Sequence, residues 1–161
     1  MSKTLPDPDS FGFLLMDVAR LYRAEVDRRI GNAGLDITPA EARTLVHAAR
    51  HGPVRQTVLA ERMGIEAMTL CGYLDGLEAH GLIVRVADPD DRRAKQIHLT
   101  DAAEPALQVI LNISKDIRAA VSRSMSAQEW DAINALLKSI RNNLAEAAPD
   151  CSPSHMDSHK K

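Results

Sequence analysis

The sequence predicts a mainly α fold with a small β-wing, in which a winged helix-turn-helix is carried between N- and C-terminal helices. Three observations predict it. Two short helical stretches meet at Gly64, two strand-like runs enclose a polar hairpin bearing Arg92 and Arg93, and long apolar-periodic segments lie on either side.

The bulk properties set the frame. Of 161 residues, 45% are apolar and 26% charged, which suits an ordinary globular chain and excludes wholesale disorder or a membrane protein. The charged start runs into Pro6, Asp7, Pro8 and Asp9, and the apolar run Phe11–Met16 is too short for a signal peptide, so the expected location is the cytoplasm. Cys71 and Cys151 lie in unlike surroundings and predict no disulfide framework. With 3% aromatic residues, the core must be aliphatic and base stacking cannot carry nucleic-acid binding. The formal net charge of −2 means that any phosphate contact must come from local placement of Arg and Lys.

Residues 1–9, with Pro6 and Pro8, read as a loose arm. From Ser10, Phe11, Leu14, Leu15, Val18, Leu21, Tyr22, Val26 and Ile30 recur at three and four, giving a long amphipathic helix to about Asn32. Thr38-Pro39-Ala40-Glu41 opens the second helix with a capping box, and His51-Gly52-Pro53 closes it. The third helix, about Arg55 to Met63, stops at Gly64, and Ile65 plugs the turn. The fourth, about Ala67 to His80, has Leu70, Leu74 and Leu77 on one face, leaving Thr69, Gly72, Asp75 and Gly76 outside that stripe. Leu82–Val86 and Lys95–Leu99 are strand-like, with Lys95, Ile97 and Leu99 on one face, and the loop between them is a flexible polar wing.

Thr100 or Asp101 is then expected to cap a fifth helix reaching about Ser124, with apolar stripes on two sides. Ser126-Ala127-Gln128-Glu129 is a further capping box, followed by Trp130, Ile133, Leu137, Ile140 and Leu144 at helical spacing. A single domain is thus expected over 10–147, and the Pro- and Ser-containing stretch 148–161 is expected to be a disordered tail.

Taken together, Thr38-Pro39-Ala40-Glu41, Leu59-Ala60-Glu61, Met68-Thr69-Leu70, Leu77-Glu78-Ala79-His80-Gly81-Leu82-Ile83 and Asp88-Pro89-Asp90-Asp91-Arg92-Arg93-Ala94-Lys95 closing on Leu99-Thr100 resemble the MarR family of bacterial transcription regulators. The resemblance is strong over 38–100, and the flanking helices fit the family layout. It implies a homodimer paired through helices in 10–37 and 101–147, with 38–100 as the reading module. It also implies a ligand-responsive regulator, most often a repressor, that binds a pseudo-palindromic DNA operator.

Carried over by position, Asp91 and Arg93 match the family's wing Asp-x-Arg, in which the acid orients the arginine for the minor groove, and Arg92 and Lys95 are expected at phosphates. Positions 72 and 76, often basic in relatives, are Gly72 and Gly76 here, and neither can bond to a guanine. Readout is then expected from Met68, Thr69, Cys71 or Asp75, beside Gly72, with Gln56 as a further donor. The reading module holds eight basic and eight acidic residues, so DNA affinity should depend on a few well-aimed arginines and on dimerisation. The family's effector cavity suggests Arg20, Tyr22, Arg43 and His47 as contacts for a small organic anion.

Other classes find less support. No Gly-rich phosphate loop, nucleophile elbow or metal-ligand set is present, so neither an enzyme nor a cofactor is expected. His47 and His51 have a metal-compatible spacing with nothing to complete a site, and no metal is expected. A protein-binding adaptor that has lost DNA affinity would suit Gly72, Gly76 and the neutral module. A redox-responsive regulator acting through Cys71 is the other alternative, and Glu66 and Asp75 nearby disfavour its thiolate.

Overall fold

The computed structural model describes residues 7–91 and 93–147, His51 without its side chain. In chain order these form α1 (Phe11–Gly31), α2 (Pro39–His51), β1 (Val54–Arg55), α3 (Gln56–Met63), α4 (Ala67–Ala79), β2 (Ile83–Ala87), β3 (Lys95–Leu99), α5 (Ala103–Val121) and α6 (Ala127–Ala147). The chain divides into one compact unit up to Ala119 and a second from Ala120.

In the first unit, α2 begins where the capping box predicts. The Glu41 N–H donates to Thr38 Oγ1 at 3.2 Å and the Thr38 N–H donates to Glu41 Oε2 at 2.7 Å, so two otherwise orphaned donors are met reciprocally. The inner faces of the helices then close over one aliphatic core. Ile30 from α1, Leu45 from α2, Leu59 from α3, and Leu70, Leu74 and Leu77 from α4 meet Ile83, Ile97 and Ile110, as the apolar spacing requires. Full burial of a leucine contributes about 1.5–3 kcal/mol, so the α4 stripe alone fixes how that helix is rolled.

The sheet is antiparallel in the order β1-β3-β2. Register runs from Ile83 opposite Leu99 to Ala87 opposite Lys95, which turns Ile97 into the core and leaves Lys95 outside. Its third strand was not expected: Val54 and Arg55 pair with Ile97 and Gln96. A two-residue strand has no periodicity to read, and its existence depends on β3 arriving alongside.

The start of α5 also differs from expectation. The helix begins at Ala103, and the hydroxyl of Thr100, which with Asp101 was one of two expected caps, donates to the Gly81 carbonyl at 2.6 Å and ties α5's approach to the end of α4. Its end comes at Val121 rather than near Ser124. In the second unit, the expected box at α6 is present, with the Ser126 N–H donating to Glu129 Oε2 at 2.7 Å and the Glu129 N–H to Ser126 Oγ at 3.3 Å. The Ser126 N–H, followed by the Ser126 hydroxyl, which donates to the same carboxylate oxygen at 2.8 Å, holds the Glu129 carboxyl below its ordinary range.

Much apolar surface remains uncovered in the single chain. On α1, Phe11, Leu14, Met16, Val18 and Leu21 are exposed, and α6 has no buried residue, with Leu136, Leu137 and Leu144 facing solvent. The expected tail, 148–161, and most of the expected arm lie outside the described residues.

Candidate nucleic-acid interface

The turn between α3 and α4 is set by Gly64, whose φ of 62° is left-handed and open to glycine at no steric cost. Its N–H donates to the Glu61 carbonyl at 3.0 Å and the Ile65 N–H to the Ala60 carbonyl at 3.2 Å, while Ile65 packs against the core as the expected plug. The turn sends α4 away with its leucines inward. Met68, 85% exposed, Thr69 and Gly72 therefore stand on the outer surface.

The remaining residues expected on the reading surface have protein partners. The Gln56 amide, at the first position of α3, donates to Cys71 Sγ, and Cys71 is half-buried. Asp75 accepts from the Arg85 guanidinium of β2, and Arg85 also lies 3.6 Å from Glu78. These contacts brace α4 against its neighbours. The two glycines also part company. Around Gly72 the space is open, whereas a Cβ on Gly76 would lie 1.8 Å from Glu41 Oε1, so Gly76 is where α4 crosses the capping carboxylate of α2.

The wing is more ordered at its base than the polar sequence suggests. Asp88 was expected within a flexible hairpin, yet it is 2% exposed. Its Oδ2 accepts from Arg55 Nε at 2.6 Å and Gln96 Nε2 at 2.9 Å, and its Oδ1 from Arg55 Nη2 at 2.8 Å and from the N–H groups of Asp90 and Asp91 at 2.9 and 3.1 Å. The expectation fails because a polar loop can be solvated or can turn its carboxylate inward onto a cation, and only the arrival of Arg55 decides which. The Arg55 guanidinium, followed by Gln96 and the two backbone N–H groups, holds the Asp88 carboxyl well below the carboxylate range against the opposing effect of burial, and the carboxylate in turn raises Arg55.

Further out, Asp91 Oδ1 accepts from the backbone N–H of Arg93 at 3.0 Å, and the Asp91 carbonyl accepts from the Ala94 N–H at 2.8 Å. Asp91 thus shapes the backbone from which the Arg93 side chain leaves. Arg93 and Lys95 are exposed, and Arg92 lies outside the described residues. Neither Arg55 nor Asp88 was picked out from sequence as a site residue. They are 33 positions apart, and no local pattern marks them as partners.

A cavity of about 360 Å³ opens within the first unit between α1, α2 and α5, lined by Tyr22, Arg43 and His47 together with Arg23, Val26, Ile30 and Ser114. Three of the four residues expected at an effector thus share one cavity. Arg20 does not line it and pairs with Asp17 at 3.0 Å. Arg43 is bonded to Asp27 of α1. Among the described residues no three of His, Cys, Asp and Glu gather as a metal set.

Comparison with known proteins bears on these features together. The sequence profile of the MarR family matches residues 35–94. The crystal structure of the transcriptional regulator PA3341 is 37% identical, with 85% of this chain and 99% of that one covered at a TM-score of 0.72. A probable transcriptional regulator from Pseudomonas aeruginosa is 30% identical over 82% of this chain and 97% of that one, with a TM-score of 0.66. A MarR-family regulator from Rhodococcus sp. RHA1 is 26% identical, covering 86% and 96%, with a TM-score of 0.73.

Proposed function

The chain belongs to the MarR family of transcription regulators, and from that premise we propose that it is a homodimeric, ligand-responsive repressor that binds a pseudo-palindromic operator. The observation that carries the reading is α4 itself: three buried leucines hold it in place while Met68, Thr69 and Gly72 face outward, beside a hairpin that carries exposed Arg93 and Lys95. A helix so mounted suits the major groove, and an arginine-tipped hairpin suits the adjacent minor groove. The apolar faces left open on α1 and α6 support pairing of two copies, which brings two half-sites under one protein.

In this reading Asp91 orients Arg93, Arg92 and Lys95 take phosphates, and Thr69 and Met68 carry the direct contacts that Gly72 cannot make. The effector is an organic anion in the cavity lined by Tyr22, Arg43 and His47, where it competes with Asp27 for the Arg43 guanidinium. A coupling of about 1–3 kcal/mol between effector and operator releases DNA about 5- to 150-fold. No helix among the described residues is long and apolar enough to cross a membrane, and the proposed place of action is the cytoplasm.

The test is selection of bound fragments from genomic DNA, followed by titration of Arg93→Ala on the best fragment and a screen of organic anions for release. Arg93→Ala should lose affinity with helicity and dimer mass unchanged, and an unaltered shift at low salt would remove the wing from the interface. A second reading, an adaptor with weak or lost DNA binding, is favoured by bare Gly72 and by the engagement of Asp75 with Arg85. Capture of no sequence above background would establish that reading in place of the first.

A further inference from the structure

We propose that Asp88 is a positioning residue for DNA binding, fastening the wing to the start of α3 so that Arg93 is presented at a fixed place beside α4. The inference rests on the DNA-binding reading above. It starts from a mismatch between residue type and surroundings: an aspartate beside a hairpin turn is ordinarily solvated, and this one is 2% exposed with both oxygens met by protein donors.

Those donors come from three places, and each constrains a different part of the wing. The Asp90 and Asp91 N–H groups bend the outgoing loop around Asp88 and deliver Asp91, whose carboxylate then takes the Arg93 N–H. Gln96 holds the returning strand β3. Arg55 reaches across from the residue just before α3, and its two-pronged grip fixes direction as well as distance. The next residue, Gln56, continues the contact to Cys71 on α4. Arg55 and Gln56 therefore join the wing on one side to the recognition helix on the other.

An exposed side chain such as Arg93 has no packing to hold it, so its reach is decided by where its backbone sits. That backbone hangs from Asp88 by way of Asp91. Asparagine at 88 keeps the shape but loses the charge that grips Arg55, and it brings an amide N–H₂ where two donors already point. The loop base should then loosen while the leucine-filled core stays closed.

The experiment uses the full chain and the duplex that the wild-type protein selects from genomic fragments. Binding is followed across a salt series for wild type, Asp88→Asn, Arg93→Ala and the double variant, with circular dichroism and light scattering as controls. Asp88→Asn should flatten the dependence of log K on log salt by about 2 for a dimer that loses one phosphate-region contact per wing, the same change as Arg93→Ala. The double variant should be no weaker than Arg93→Ala alone, because Asp88 acts through Arg93. Footprints should lose protection in the minor groove at the wing and retain it in the major groove. Should Asp88→Asn fail to fold, Arg55→Lys, which keeps the charge and loses the fork, reads the same slope. A wild-type slope in the Asp88 or Arg55 variant, or full additivity with Arg93→Ala, overturns the inference while DNA binding stands. Failure of the wild-type protein to bind any duplex overturns the DNA-binding reading and this inference with it.

Discussion

Helix α4 rests on three fully buried leucines, Leu70, Leu74 and Leu77, whereas the wing beside it is held at its base by one buried carboxylate, Asp88, and its polar partners. The two regions would meet the same DNA, yet they are fixed by different physics. Apolar burial fixes the roll of a helix and is indifferent to what its outer face carries, so α4 can present bare Gly72 without losing its place. A polar node fixes a loop through directional bonds, so the wing has less freedom at its base than its exposed composition suggests. The outer face of α4 can therefore vary with little structural consequence, while the wing base tolerates few changes.

The largest effect should come from breaking the apolar half of this comparison. Leu74→Ala should destabilise the protein by about 2–5 kcal/mol, read from urea unfolding, because the cavity left under α4 adds to the lost transfer energy. Arg93→Ala, at the exposed end of the wing, should leave the same unfolding curve unmoved. If both substitutions shifted the midpoint equally, the division between a packed helix and a polar-clamped wing would not hold.

A smaller and sharper contrast lies within α4. Gly72→Ala should stabilise by up to about 1 kcal/mol from helix propensity, since its surroundings are open. Gly76→Ala has the same propensity gain, but its Cβ would meet Glu41 and displace the carboxylate from the α2 capping box, a loss of about 0.5–2 kcal/mol. Thermal melts of the two variants should separate in that order, and equal stabilisation would show that Glu41 swings aside at no cost.

The smallest effect concerns acid. Glu25, bonded by Arg28 first and then Arg29, has its carboxyl lowered from 4.5 to about 2. A depressed carboxylate contributes stability that is present above its unfolded value and lost as pH falls through the folded one. Asp88, also depressed and chiefly by its Arg55 pair, follows the same sign. Glu25→Gln should therefore flatten the stability curve between about pH 5 and pH 2, matching wild type at the acid end and falling slightly below it at neutral pH, the gap being small because the pair is on the surface. An unchanged acid limb in chemical denaturation at stepped pH would show that the Arg28 pair makes no difference to folding.

Much of the fold was legible without coordinates because its signals are short-range. Thr38 with Glu41 and Ser126 with Glu129 cap their helices as the residue types require, Gly64 turns the chain between α3 and α4, and the Leu70–Leu74–Leu77 spacing names the buried face. The reading surface was less legible. Cys71 and Asp75 lie on α4 and Gln56 at the start of α3, and all three bond to protein neighbours that periodicity does not reveal.

What the sequence by itself determined is therefore the six helices and the two longer strands, the boxes that cap α2 and α6, the buried face of α4 and the family resemblance, because each depends on residues close together in the chain. The tertiary structure alone decided that Val54 and Arg55 become a third strand, that Glu41 lies under Gly76, that Tyr22, Arg43 and His47 share a cavity, and that Asp88 is buried against Arg55. Each of those depends on where a distant part of the chain returns. A carboxylate's choice between water and a guanidinium is settled only when the guanidinium is there.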